Sequence, residues 1–431
     1  MRKIRLILFC TFAFLCIIFT LNSSVFAENI SGECGENVTW LLNNVTGELV
    51  ISGNGKMTSS PWSDYKPYIK TVVVNDGVET ISDQAFGYCT NITSVVVGDD
   101  VQSIGTYAFA GCSSLSEIKL GASLNKIGAC AFDKCIALAE VNIPDEVTLI
   151  DGGAFGYCSG LVNVKFGGKL KSLGNYAFAG CGMLCEANIP NSVTVVGNYA
   201  FSGCYALKKV SLGENTTVIG NSAFEYCTSI ESMYIPAKVN SIGEQAFNAC
   251  ERLRNINVDE LNEFYASDKA GVLYDKNYKT LIRYPQASVT DYYNIQPMTT
   301  DISDWAFSGA KKLKRLNIPI SVANIYYAAF YENSKLSDIY YIGTEDQFGD
   351  ISIDNANDSL INASKHFLYE QMKNDINSDG YVNSKDITML RCYLVGGYNV
   401  PDNNDVCDIN NDGIVSIKDV TALRKIIAGG Y

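Results

Sequence analysis

Histidine is nearly missing from this chain of 431 residues: there is one, His366. A Ser-His-Asp or Cys-His catalytic group would have to be built around that single position. A packing or surface histidine is the simpler reading of it. Basic charge is also short. Charged residues make up 18% of the chain, with 33 Lys and Arg against 46 Asp and Glu, for a formal net charge of −13. Such a surface repels nucleic acid and anionic lipid, which excludes both as partners. No C-x-x-C pair occurs among the fifteen cysteines, so no zinc site of the close-pair kind is encoded. After residue 21 no apolar run is long enough to cross a bilayer, which argues against membrane insertion. No carboxylate pair stands out for sugar hydrolysis either.

The first residues carry what the rest lacks. Arg2, Lys3 and Arg5 precede an apolar run over 6–21, and Val25-Phe26-Ala27 ends it. This predicts a secretory signal peptide over 1–27 and a secreted protein. Loss of its three basic residues takes the formal charge from −13 to −16.

Most of the remainder is one unit repeated every 23 residues. Its mark is Ala-Phe, with Phe at 86, 109, 132, 155, 178, 201, 224 and 247, then at 307 and 330 after a step of 60. A fixed period of this size means a solenoid. Residues 138–159 give a clean copy, LAEVNIPDEVTLIDGGAFGYCS. Leu138-x-x-Val141-x-Ile143 predicts a short strand that stops before Pro144, because proline cannot donate to a ladder. No repeat can bury its apolar face alone. Stacking does it, and each inward side chain then contributes about 1.5–3 kcal/mol against chain entropy.

Three residues after the Phe stands Cys, at 89, 112, 135, 158, 181, 204, 227 and 250, replaced by Ala310 and Asn333 in the last two copies. Even spacing without local pairs predicts buried free thiols in a tight interior stack rather than disulfides. That suits a reducing, anaerobic habitat. A second pattern flanks the Phe. Tyr107, Tyr176, Tyr199 and Trp305 stand two before it where Gly111, Gly180, Gly203 and Gly309 stand two after. Tyr88, Tyr157 and Tyr226 stand two after it where Gln84, Gly153 and Ser222 stand two before. Spacing of four on a helical turn places both sites on one face. The rings either shield backbone or form an exposed row for sugar or protein. The outward strand positions Lys119, Asn142, Lys165, Asn188, Ser211, Tyr234, Asn257, Asn317 and Tyr340 suit a ligand face and plain solvent equally.

I-P-x-x-V-x-x-I-G, A-F-x-x-C and L-x-x-V-x-I together resemble the BspA-like leucine-rich repeat family, over roughly 32–369. The resemblance implies an extracellular adhesion or binding array without catalysis. The expected layout is a β-rich leucine-rich-repeat solenoid of about ten 23-residue rungs. An N-terminal cap covers 28–78, where Cys34, Trp40 and Pro61-Trp62 lie, and repeats cover 79–338. A hairpin is inserted near 264–285, and a C-terminal cap spans 339–370.

Residues 371–431 differ in kind. Two segments repeat at an offset of 33. Asp375, Asn377, Asp379, Asn383 and Asp386 in the first match Asp408, Asn410, Asp412, Ser416 and Asp419 in the second. These oxygens fall at loop positions 1, 3, 5, 9 and 12, with Gly380 or Gly413 at 6 and the carbonyls of Tyr381 and Ile414 at 7. That is the EF-hand calcium pattern, and it predicts two bound Ca2+ ions. Position 12 is Asp where Glu is usual, and no apolar helix precedes either loop.

With Thr388-Met389-Leu390-Arg391 and Thr421-Ala422-Leu423-Arg424 after the loops, the segment resembles the type I dockerin domain of cellulosomes. The resemblance implies a small all-α, calcium-binding paired F-hand domain over 371–431. It also implies helices near 384–394 and 417–428, and a cohesin module of a scaffoldin as partner. The cohesin contacts carry over to Ser384, Lys385, Arg391 and Cys392, and to Ile417, Lys418, Arg424 and Lys425. The halves differ at Ser384/Ile417 and Cys392/Lys425, which puts binding in two orientations in doubt. No Pro/Thr-rich linker precedes the domain.

The expected function is a secreted, extracellular, non-catalytic cellulosome component on a bacterial surface, in the context of polysaccharide breakdown. Its array would bind a protein, cell-surface or plant-wall ligand. The rivals are a glycan-active hydrolase subunit of the cellulosome and a free cell adhesin.

Overall fold

A computed structural model describes residues 29–367, 374, 376, 382–395, 407–410 and 412–428. The expected signal peptide and four of the first-loop ligands, Asp375, Asn377, Asp379 and Tyr381, lie outside the described residues. The chain divides into two compact units, Met1–Lys276 with Arg283–Ser288, and Asn277–Ile282 with Val289–Tyr431.

In the first unit the predicted strand of each repeat forms, and these strands pair in parallel first as Thr71–Val74, Ser94–Val97 and Glu117–Lys119 and then in twos as far as Asn255–Val258. Glu140–Asn142 ends before Pro144 and pairs with Asn163–Lys165 at a register of 23. Val141 points inward and is buried, while Asn142 points out. A second ladder runs beside it. Its two-residue strands, such as Leu149–Ile150 on Ser172–Leu173, join into a nine-stranded parallel sheet that ends at Ser241–Ile242.

A third ladder sits at the Ala-Phe turn. In the repeat around Phe155, the amides of Gly153, Phe155 and Tyr157 donate to the carbonyls of Asn175, Ala177 and Ala179 one rung on, at 2.8, 2.8 and 2.6 Å. The same three donors recur from Gln84 to Tyr226. Alternate residues can aim their N–H groups the same way only if the backbone between them reverses hand. Both sites flanking each Phe are accordingly left-handed, with φ of 51° to 62° where a side chain is present.

This corrects the helical-turn reading of the aromatic pattern. The sites two before and two after Phe are paired left-handed positions in a non-helical turn. A residue with a Cβ pays roughly 1–2 kcal/mol there, offset by the ladder that would otherwise lose its donors. Glycine two after the Phe also answers to its neighbour. A Cβ on Gly111 would lie 2.7 Å from the ring of Tyr88, and one on Gly180 would lie 2.6 Å from the ring of Tyr157. The tyrosine of one rung thus covers the bare backbone of the next, as the shielding reading expects.

The core is a pile of parallel rings. Trp62, Phe86, Phe109, Phe132, Phe155, Phe178, Phe201, Phe224 and Phe247 stack with centroids 4.9 to 6.0 Å apart and planes within 14°. Trp62 takes the Phe place 24 residues before Phe86 and anchors its indole N–H on the Ala85 carbonyl at 2.9 Å. Ahead of it, Ile30–Gly35, Val38–Asn43 and Glu48–Gly53 form an antiparallel meander whose last strand pairs in parallel with Thr71–Val74, closing the end.

All thirteen described cysteines are free, and the eight at the repeated site are buried. From Cys112 to Cys250 each thiol donates to the carbonyl of the Phe 26 residues earlier, at 3.1 to 3.3 Å. Cysteine therefore fills a small apolar site and ties two rungs. Burial pushes the Cys89 thiol up to about 11 and those of Cys204 and Cys250 to about 12, so they are neutral at ordinary pH.

Within the insertion, Tyr265–Ser267 pairs antiparallel with Leu273–Asp275. In the second unit Thr280 and Leu281 pair in parallel with Asp301 and Ile302, resuming a short-strand ladder. There Tyr292–Asn294, Arg315–Ile318, Asp338–Tyr341 and Ser364–Phe367 form a parallel four-stranded sheet, and Phe307 stacks on Phe330 at 4.8 Å.

Candidate functional site

The segment with the calcium pattern is built around two helices, Ser384–Leu394 and Ile417–Ile427, within one residue of the expected bounds. Their common core holds Ile376, Leu390, Cys407, Val420 and Leu423, with Val382, Ile387, Ile409, Val415 and Ile427 packed on it. Members recur at the offset of 33: Ile376 with Ile409, Val382 with Val415, Leu390 with Leu423. Both loops thus supply apolar residues to the core.

The second loop is described at every expected ligand. The Asp408 carboxylate accepts from the amides of Asp412 (3.1 Å) and Gly413 (2.7 Å), drawing positions 1, 5 and 6 together. Asn410 Oδ1 accepts from the Asp412 amide at 2.8 Å, and Asp412 Oδ1 from the Ile414 amide at 3.0 Å. Gly413 makes the reversal with φ of +81°. From the far side Asp419 folds back. One oxygen accepts from the Asn410 amide at 3.1 Å and the other from the Ser416 amide at 2.7 Å.

Ser416 and Asp419 also form a capping box that starts the second helix. Burial opposes ionisation of Asp419, but hydrogen bonds from the Ser416 and Asn410 amides outweigh it. They hold its carboxyl below the usual range. The buried group at position 12 is therefore a carboxylate.

Asn383 and Asp386 repeat this join in the first loop. The Asn383 amide donates to Asp386 at 2.7 Å, and Asp386 is buried. The donor set of the second loop, three carboxylates with an amide, a hydroxyl and a backbone oxygen, is all hard oxygen and fits Ca2+. Among the described residues no three His, Cys, Asp or Glu side chains group to hold a metal by themselves. A cation here needs the Asn, Ser and backbone oxygens as well.

Ser384, Lys385, Arg391 and Cys392 on the first helix, and Ile417, Lys418, Arg424 and Lys425 on the second, are all exposed. Sequence reasoning named Ile414 only for its carbonyl and did not name Val395; their apolar side chains are 68% and 82% exposed.

Elsewhere the outward strand residues Lys119, Asn142, Lys165, Asn188, Ser211, Tyr234 and Asn257 are exposed, with Asn317 and Tyr340 half-buried. His366 stacks on Tyr340 at 4.6 Å, and its Nε2 lies 2.8 Å from Asp338 Oδ1. It is a partly exposed histidine held by a surface carboxylate. No described helix is long and apolar enough to cross a membrane.

Comparison with known proteins follows the same division. The family described as BspA type leucine rich repeat region matches in six copies over residues 64–185, 172–268 and 287–373. The dockerin type I domain matches residues 373–428. Among solved structures, a leucine rich cell surface protein from Faecalibacterium prausnitzii is 24% identical, covering 76% of this chain and 99% of its own, with a TM-score of 0.47. A leucine-rich repeat protein from Bacteroides ovatus is 18% identical, covering 77% and 98%, with a TM-score of 0.46. One from Eubacterium ventriosum is 23% identical, covering 76% and 68%, with a TM-score of 0.31. No curated protein matches the chain.

Proposed function

Because the chain belongs to the BspA-type leucine-rich repeat family and carries a type I dockerin domain near its C-terminal end, we propose that it is a secreted, non-catalytic component of a cellulosome-type complex. Type I dockerins bind calcium and dock on cohesin modules. In this reading two Ca2+ ions are held by Asp375, Asn377, Asp379, Tyr381, Asn383 and Asp386, and by Asp408, Asn410, Asp412, Ile414, Ser416 and Asp419. The ion's part is to neutralise three carboxylates per loop and so fix the start of the helix that follows. The repeat array holds a separate ligand, a protein, cell-surface or plant-wall component.

Exposure of all eight residues carried over from the dockerin pattern, on helices whose other faces make a shared core, carries this reading. Arg391, Arg424 and Lys425 offer positive charge in a chain that is acidic as a whole, which favours an acidic cohesin face. The absence of catalysis rests on the matched domains, both of kinds that bind rather than turn over substrate.

Calorimetric titration of the full chain with cohesin modules in calcium tests it. Saturable binding weakened at least tenfold by Arg424→Ala with Lys425→Ala is expected. No binding to any cohesin, or turnover of plant polysaccharides by the purified chain, would overturn it.

A further inference from the structure

The turn face of the first unit contains three successive rungs whose turns bear no charge. In a chain with 18% charged residues, the turns at 152–160, 175–183 and 198–206 contain none. The strand edge of the same rungs is studded with charge of both signs, at Glu140, Lys165, Glu186 and Lys209. Where charge is missing, rings are exposed: Tyr157 at 57%, Tyr176 at 47% and Tyr205 at 57%.

These rings surround bare backbone. Tyr176 and Tyr199 stack at 4.7 Å with planes 2° apart, forming one wall. Tyr157 lies across Gly180 at one end. Tyr205 leans over Gly182 and brings its hydroxyl to within 3.9 Å of where a Gly203 side chain would begin. The open floor between is Gly203, where a Cβ would meet nothing closer than 3.6 Å.

Along the Tyr176 wall runs a line of polar donors. The side-chain oxygens of Asn175 and Asn198 accept from the backbone of the next rung, both at 2.8 Å. Their amide NH2 groups have no partner among the described residues. The backbone bond fixes each carboxamide, so its free donors repeat at the rung spacing of roughly 4.8 Å, on the order of one sugar residue.

From this arrangement we infer that the trough bounded by Tyr157, Tyr176, Tyr199 and Tyr205 binds a neutral polysaccharide chain. The inference rests on the reading that the array holds a ligand, and names its class and place. Sugar C–H groups, slightly positive, meet the negative ring faces that stacking leaves open, and sugar hydroxyls pair with the phenol oxygens. Sugar hydroxyls accept from the Asn175 and Asn198 amides. The uncharged floor gives nothing to an acidic polymer. A protein partner needs enclosed pockets for its anchoring side chains, and this floor is shallow, open glycine.

Native affinity electrophoresis of the full chain in gels containing xyloglucan, galactomannan or hydroxyethylcellulose, with polygalacturonate as the acidic counterpart, tests it. Retardation in at least one neutral polymer is expected, equal with and without EDTA, and none in polygalacturonate. Tyr176→Ala with Tyr199→Ala lowers the affinity at least tenfold without abolishing the cooperative melting of the array. Gly203→Asn, which suits the φ of +74° there but fills the floor, does the same and decides the matter if the double variant fails to fold. Migration unaffected by every neutral polymer, retardation unchanged in a folded variant, or stronger retardation in polygalacturonate would overturn it. Cohesin binding by the same samples reads the dockerin separately, so failure of one assay leaves the other intact.

Discussion

Replacing Phe155 with leucine keeps an apolar side chain of similar size at a fully buried site but removes a ring with close neighbours on both sides. Phe132 stacks on it at 5.1 Å and Phe178 at 5.2 Å, with planes 11° and 7° from parallel. Each ring pair is worth about 0.5–1.5 kcal/mol beyond the area it buries, so two give about 1–3 kcal/mol. Truncation to alanine also loses the transfer energy and leaves a cavity, for about 3–5 kcal/mol. Phe247 has one stacked neighbour among the described residues, Phe224 at 6.0 Å, so Phe247→Leu costs about half as much as Phe155→Leu. Urea unfolding followed by far-ultraviolet circular dichroism gives all three. Because each rung touches only its neighbours, Phe155→Ala also splits the array's transition in two. A Phe155→Leu variant within about 0.5 kcal/mol of the parent, or one no worse than Phe247→Leu, would refute the claim that ring stacking holds the rungs.

Three further outcomes follow from the same geometry. Iodoacetamide alkylates the exposed Cys392 of the native protein first and the eight ladder cysteines only after unfolding; mass spectrometry of the labelled peptides checks this, and native labelling of Cys158 would contradict it. Cys204 and Cys250 are raised from 9.0 to about 12 in the fold, so their contribution is complete below pH 9 and fades as pH climbs toward 12. The urea midpoint therefore falls across that window, and a flat profile would count against buried neutral thiols. Lys134 sits at a left-handed φ of 59°, and Lys134→Gly relieves roughly 1–2 kcal/mol against about 0.4–1 kcal/mol of added chain entropy. Its melting temperature should rise slightly rather than fall.

The solenoid was legible because the Ala-Phe period survives in side chains. Val141, Ile143, Val147 and Ile150 announce the inward face as plainly as any strand. Its hydrogen bonding was less legible. A two-residue strand such as Leu149–Ile150 is too short for a period to register, and the turn ladder depends on backbone hand. The exchange of Tyr and Gly about the Phe was visible, yet a spacing of four fits a helical turn as readily as two left-handed residues. Only φ separates them.

The calcium loops lie at the other extreme, since oxygen donors at fixed spacing are the chemistry itself. What spacing could not convey was the way Asp419 doubles as a helix cap while folding back on Asn410. The neutral trough went unseen as a unit because its walls come from three rungs, each unremarkable alone.

The central claim is that calcium held in the two loops creates the surface that docks on cohesin. It is tested most directly by cohesin affinity of the full chain, titrated against free calcium from chelator excess to saturation, beside Asp412→Ala. The account predicts binding that appears with calcium, vanishes in EDTA, returns on adding the ion back, and needs more calcium in the variant. Equal cohesin affinity in exhaustive EDTA and in calcium would contradict it.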